Sequence, residues 1–212
     1  MVNATDDIKQ QAESAVLSGE DLRQAVRDIT LNALQSRKLD QQNIRAVVQA
    51  VVSGVGSGLD QPWDKAREDA SSAIQGIDDA LQKAAQAAKL AAEEAIGRSA
   101  EFTDHDLRAA IDELSALEDL FVETVKLVAT QSTDVAGDIL SELGNHLKAT
   151  GTSAGEQARD AVNHLHGALK NAGRDGVGNL ASAGKQVGEQ LAHIAAGFLS
   201  GMADAVAPKK KD

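Results

Sequence analysis

Apolar residues recur through the middle of this chain in steps of three or four: Trp63, Ala66, Ala70, Ile74, Ile77, Leu81, Ala84, Ala88, Ala91 and Ala95. That spacing is one face of an α-helix, and a stripe so long and narrow asks for a partner surface along its whole length. Pro62 suits the first turn of such a helix, which then runs to about Arg98. Its seam opens with an eleven-residue step (Trp63 to Ile74) and continues in sevens (Ile74, Leu81, Ala88, Ala95). The two repeats favour opposite supercoil hands, so only a weak coil is expected.

Before this rod the pattern predicts three short helices. The first covers about Asp6 to Leu17. Ser18, with Asp21 three residues on, is the expected cap of a second helix whose face is Leu22, Val26, Ile29 and Ala33. The third follows Asp40 and carries Ile44, Val47, Val48, Val51, Val52 and Val55. It is the broadest β-branched stripe of the chain and should be its best-buried helix. Gly54-Val55-Gly56-Ser57-Gly58 is expected to end that helix and act as a hinge.

Past the rod, Thr103 with Asp106 predicts the cap of another long helix, and Phe102 with Leu107 a hydrophobic staple. Its face is Leu107, Ile111, Leu114, Leu117, Phe121, Val125 and Val128. After Gln131-Ser132-Thr133 the stripe resumes at Val135, Ile139, Leu143 and Leu147. The short link between Arg98 and Thr103 favours an antiparallel hairpin of the two rods. The expected organisation is a short-helix unit (1–59), a long antiparallel helical hairpin (60–148), a glycine-rich amphipathic helical segment (149–207) and a basic tail (208–212). The fold class is all-α, an elongated bundle of long amphipathic helices with a small amino-terminal helical unit.

The last third differs in kind. Ten of the 18 glycines lie between Gly151 and Gly201, yet an apolar face persists from Ala158, Val162, Leu165 and Leu169 to Leu191, Ile194, Phe198 and Met202. Interior helical glycine costs about 0.8–1 kcal/mol relative to alanine. Close backbone packing or binding must offset it. Four glycine pairs stand four apart, Gly54/Gly58, Gly151/Gly155, Gly184/Gly188 and Gly197/Gly201. Such spacing lets two helices approach closely, and Gly184, Gly188, Gly197 and Gly201 are the favoured helix-contact glycines.

Composition narrows what such helices do. Aromatics are 2% of the chain, so alanine, valine and leucine must build the core, and an enzyme-like globule is disfavoured. The two prolines, Pro62 and Pro208, leave the stretch between them free of proline breaks, and no window alternates like a strand. Cysteine is absent, which fits a reducing compartment. Met1-Val2-Asn3-Ala4-Thr5-Asp6-Asp7 has neither the basic region nor the apolar run of a secretion signal. The expected location is cytoplasmic, peripheral to a membrane or granule. The net charge of −11 is uneven: 150–212 hold seven basic and six acidic residues, so the acidity sits in 1–149. That part repels nucleic acid and anionic headgroups.

Candidate chemistry is sparse. Asp160 and His164 stand one helical turn apart without a third ligand, and the five histidines read as surface residues. Acid pairs such as Asp78-Asp79, Glu93-Glu94 and Glu118-Asp119 read as solvated helix faces. No phosphate-cradling loop, nucleophile triad or basic–aromatic patch is present, so no catalytic residue, metal, cofactor or small-molecule substrate is expected. The most apolar window, Leu191 to Ala207, precedes Pro208-Lys209-Lys210-Lys211. At about 17 residues it is short for a membrane span but suits a helix lying on a lipid surface. Leu191, Ile194, Phe198, Leu199, Met202 and Val206 would insert, and Lys209, Lys210 and Lys211 would anchor.

Three stretches, Ser18–Leu34, Phe102–Leu114 and His193–Ala205, together resemble a bacterial all-helical family without an assigned function. The resemblance implies no active site. In composition the chain is also similar to phasins, alanine-rich, cysteine-free amphipathic proteins that coat polyester granules. The leading expectation is a non-enzymatic amphipathic protein on a lipid or polymer-granule surface, phasin-like in manner. The alternatives are a self-associating coiled-coil or bundle scaffold, a homo-oligomer, and a stress-protectant chain that folds on binding.

Overall fold

Asp21 and Asp40 fix where the amino-terminal helices begin. In the computed structural model, which describes residues 4–18, 21–37, 39–97 and 104–175, helix α1 is Ala4–Ser18, α2 Leu22–Gln35 and α3 Gln41–Gly58. Asp21 Oδ1 accepts from Gln24 N at 3.2 Å and Asp40 Oδ1 from Asn43 N at 2.8 Å, each satisfying an otherwise orphan donor. The cap of α2 is thus Asp21. Ser18 instead closes α1, its hydroxyl donating to the Ala15 carbonyl at 2.9 Å.

The rod expected after Pro62 is α4, Trp63–Gly97, roughly 52 Å long at 1.5 Å per residue. The single helix expected across residues 103–128 is two, α5 (Asp104–Ser115) and α6 (Leu117–Gln131), parted at Ala116. Ser115 sits at that break with its hydroxyl on the Ile111 carbonyl at 2.7 Å, a back-bond of the kind that bends helices. Thr103 and Phe102 lie outside the described residues. After Ser132 and Thr133 come α7, Asp134–Thr150, and α8, Ser153–Asp175. The described residues contain eight helices and no strand: the fold is all-α.

The packing departs from the expected hairpin. Helix α4 lies chiefly against α2 and α8 rather than α5–α7. Its buried arc is accordingly wider than one seam and adds Ala73, Ala80, Ala85, Ala87 and Ala92 to the predicted positions. Trp63, the expected start of the seam, is 43% exposed. Helices α6 and α7 form the antiparallel pair, turning at Ser132 and Thr133 with Gly137 against the Ala129 carbonyl and Gly144 against Val125 and Lys126. One buried cluster runs from Ile8 to Leu165, so the first three helices share their core with the rest. Ile44, Val47, Val48, Val51, Val52 and Val55 are all in it, as the β-branched stripe predicts.

Helix α3 ends at Gly58, within the expected glycine run, and stays helical through Gly54 and Gly56. A Cβ on Gly54 would run into the Lys9 carbonyl and come within 2.8 Å of the Ala12 Cβ; one on Gly58 would come within 2.8 Å of the Val16 Cβ. Four residues forward on α3 match four forward on α1, so the helices run parallel with their backbones in close approach. The glycine pair shown to line a tight helix contact is Gly54/Gly58. Gly184, Gly188, Gly197 and Gly201 lie outside the described residues.

Candidate functional site

Helix α7 ends where Gly151 takes φ +80°, a left-handed-side conformation that suits glycine, and donates its N–H to the Leu147 carbonyl at 2.9 Å. Thr152 follows and caps α8: its Oγ1 accepts from Gly155 N at 2.9 Å. The remaining donors at that terminus are taken by carboxylates from two other helices. Asp78 of α4 accepts from Ser153 N at 2.9 Å and Ala154 N at 2.8 Å. Glu118 of α6 accepts from Thr152 N at 2.9 Å and also pairs with Arg159. Negative charge at a helix amino terminus is favourable because the unpaired N–H groups concentrate positive potential there.

Gly155 makes this possible. A Cβ there would fall within 2.5 Å of both Glu118 carboxylate oxygens, so only glycine lets the carboxylate lie over the first turn. The Gly151/Gly155 pair, spaced like a helix contact, thus admits a side-chain cap. Further along, Lys89 of α4 meets Asp160 at 2.7 Å, and Glu93 of α4 lies 3.3 Å from His164 Nε2. Positions 78, 89 and 93 of α4 meet 153–154, 160 and 164 of α8 in order, so these helices run parallel.

This cluster revises the reading of the acidic residues. Asp78 and Glu118 cap α8, Asp79 binds Arg23 of α2 at 2.6 Å and Glu93 faces His164, so four of the residues taken as solvated faces join helices. Asp160 and His164, one turn apart, pair with Lys89 and Glu93 of α4, and no group of three metal-ligating side chains occurs among the described residues. Sequence reasoning missed Thr152, although a glycine at a helix end followed directly by Thr-Ser was a readable signal of a stop and a new cap. Two open hollows of about 270 and 370 Å³ flank the Glu118–Arg159 pair, one lined by Leu114, Ala158 and Val162, the other by Val122, Lys126 and Leu147.

The interhelical pairs titrate. The hydrogen bond from Lys89, then its charge, holds the Asp160 carboxyl below its ordinary range, and Arg67 does the same to Glu142 of α7 across a 2.7 Å bond. A carboxyl depressed in the folded state adds stability that is complete above its unfolded pKa and lost as pH falls through the folded one. Acid is therefore expected to weaken the attachment of α7 and α8 to α4 below about pH 4, with a smaller loss in a Lys89→Met variant. Urea unfolding followed by circular dichroism between pH 7 and pH 3 checks this.

Of the residues expected at a binding surface, Leu191, Ile194, Phe198, Leu199, Met202, Val206, Lys209, Lys210 and Lys211 all lie outside the described residues. Among the described helices none is long and apolar enough to cross a membrane. A family model described as "Family of unknown function (DUF6781)" matches residues 2–208. The chain belongs to that family. DUF6781 brings no assigned activity to carry over to the capping cluster, and the all-helical family without a function expected from three sequence stretches agrees with it. No curated protein and no solved structure matches the chain.

Proposed function

We propose that this protein associates, without chemistry of its own, with a lipid or polymer-granule surface through the apolar and basic positions from Leu191 to Lys211. The observation that carries this reading is the occupancy of α4: its long stripe is covered by α2 and α8 of the same chain. The stripe that asked for an external partner is therefore an internal seam. The apolar window Leu191–Ala207 with Lys209, Lys210 and Lys211 is the remaining stretch with the composition of an interfacial helix. Co-sedimentation with anionic vesicles tests it. Changing all three lysines to glutamate is expected to lower binding at least tenfold, since each basic residue near an anionic surface contributes about 1 kcal/mol. Binding unchanged by the triple substitution would overturn the assignment.

A self-associating scaffold is the second reading, and the exposed apolar side chains favour it. Leu17, Trp63 and Val135 are 70%, 43% and 40% exposed. They belong to one end of the bundle, where Val16 meets Gly58 and Gly56 lies beside Ser132. Light scattering of a Leu17→Ser, Trp63→Ser, Val135→Ser variant tests it: a drop in oligomer size supports it, and an unchanged size counts against it.

A further inference from the structure

Helix α8 is attached differently from the helices around it. Over residues 153–167 its buried apolar side chains are Ala154, Ala158, Ala161 and Leu165, with Val162 half-buried against the same core. Helix α3, by contrast, buries Ile44, five valines, Ala50 and two glycines. To this modest apolar contact over 153–167 it adds polar links to other helices. Asp78 and Glu118 hold its first backbone donors, and Glu118–Arg159, Lys89–Asp160 and Glu93–His164 follow along its length.

These links sit in water's reach. On the α8 side Arg159, Asp160 and His164 are 62%, 62% and 56% exposed, while their partners Glu118, Lys89 and Glu93 are 24%, 19% and 34% exposed. Exposed ion pairs stabilise weakly and are screened by salt. An element with little apolar burial and solvent-exposed polar contacts opens locally well below the free energy of global unfolding. Its amino-terminal junction allows this: Gly151, at φ +80°, and Thr152 join it to α7.

We propose that α8 is a releasable arm, latched to α4 and α6 by the Asp78 and Glu118 carboxylates and opening as a unit while α2 and α3 stay folded. Closed, its apolar face is buried on the bundle. The inference stands on packing and holds whether or not the protein binds a surface.

Hydrogen exchange of the full chain, read by mass spectrometry at constant pH, tests it without vesicles. Amides of 157–165 are expected to exchange at least about tenfold faster than those of 44–55, through local opening. In an Asp78→Asn, Glu118→Gln double variant the α8 amides are expected to exchange about tenfold faster again, with α3 unchanged, because charged hydrogen bonds have been weakened. Equal protection of α8 and α3 in the wild-type chain would overturn the proposal, as would a folded double variant whose α8 amides keep wild-type protection. Should the double variant fail to fold, the wild-type comparison still decides.

Discussion

Replacing Phe121 by alanine is expected to lower the unfolding free energy by about 3–5 kcal/mol, the usual cost of deleting a buried phenyl ring. Phe121 is fully buried and is the aromatic side chain of the described core. It sits on α6 in a core otherwise built of alanine, valine, leucine and isoleucine. For a domain whose total stability lies within about 5–15 kcal/mol, that loss takes a large share. Urea unfolding at pH 7 measures it. A change below about 1 kcal/mol would mean that the α6 core is not packed as described.

The second large effect has a diagnostic sign. Gly54→Ala is expected to destabilise the protein by about 1–2 kcal/mol net. The new methyl meets the Lys9 carbonyl and the Ala12 side chain of α1, and overpacking of that kind costs about 1–3 kcal/mol. It outweighs the gain of up to about 1 kcal/mol that alanine brings to a helix interior. Gly56→Ala is the internal comparison. Its Cβ would stand 3.3 Å from the Ser132 hydroxyl and 3.6 Å from Leu140, a rotatable group and an ordinary contact. There the propensity gain is expected to hold the change within about 1 kcal/mol of zero. Were the glycine run a frayed helix end, both substitutions would stabilise.

The same glycines show what was legible in the sequence and what was not. A four-residue glycine spacing marks a helix terminus and a helix contact alike; the difference lies in α1, some 40 residues away, where Ala12 and Val16 receive the backbone of α3. By contrast, the valine stripe of α3 and its Asp40 cap were readable because both are local: periodicity and an N-cap act within a few residues. The long helix from Trp63 was readable for the same reason, but its partners were not. A stripe states that a surface must be covered, and whether another copy or α8 covers it depends on how the chain returns. The capping of α8 was least legible of all. Asp78 and Glu118 stand 75 and 34 residues from the donors they hold, and a carboxylate on a helix face has the same local pattern whether it faces water or another helix.

The path from α7 into α8 also explains why charge mattered more than composition suggested. The acidity of 1–149 supplies capping acceptors and interhelical partners: Asp78, Asp79, Glu118 and Glu142 each bind a group from another helix. Net charge sets what the surface repels; the placement of individual carboxylates sets which helices meet.

That α8 lies along α4 within one chain is the claim on which the internal seam, the latch and the surface reading all rest. Zero-length carbodiimide coupling of an equal mixture of ¹⁴N- and ¹⁵N-labelled full chains, followed by peptide mass spectrometry, tests it directly. Lys89 and Asp160 stand 2.7 Å apart, close enough for an amide to form between them without a spacer. The account predicts a Lys89–Asp160 link found in all-¹⁴N and all-¹⁵N forms only. Links of mixed isotope at that pair would place α8 on a neighbouring copy, and absence of the link from the coupled chains would contradict the fold itself.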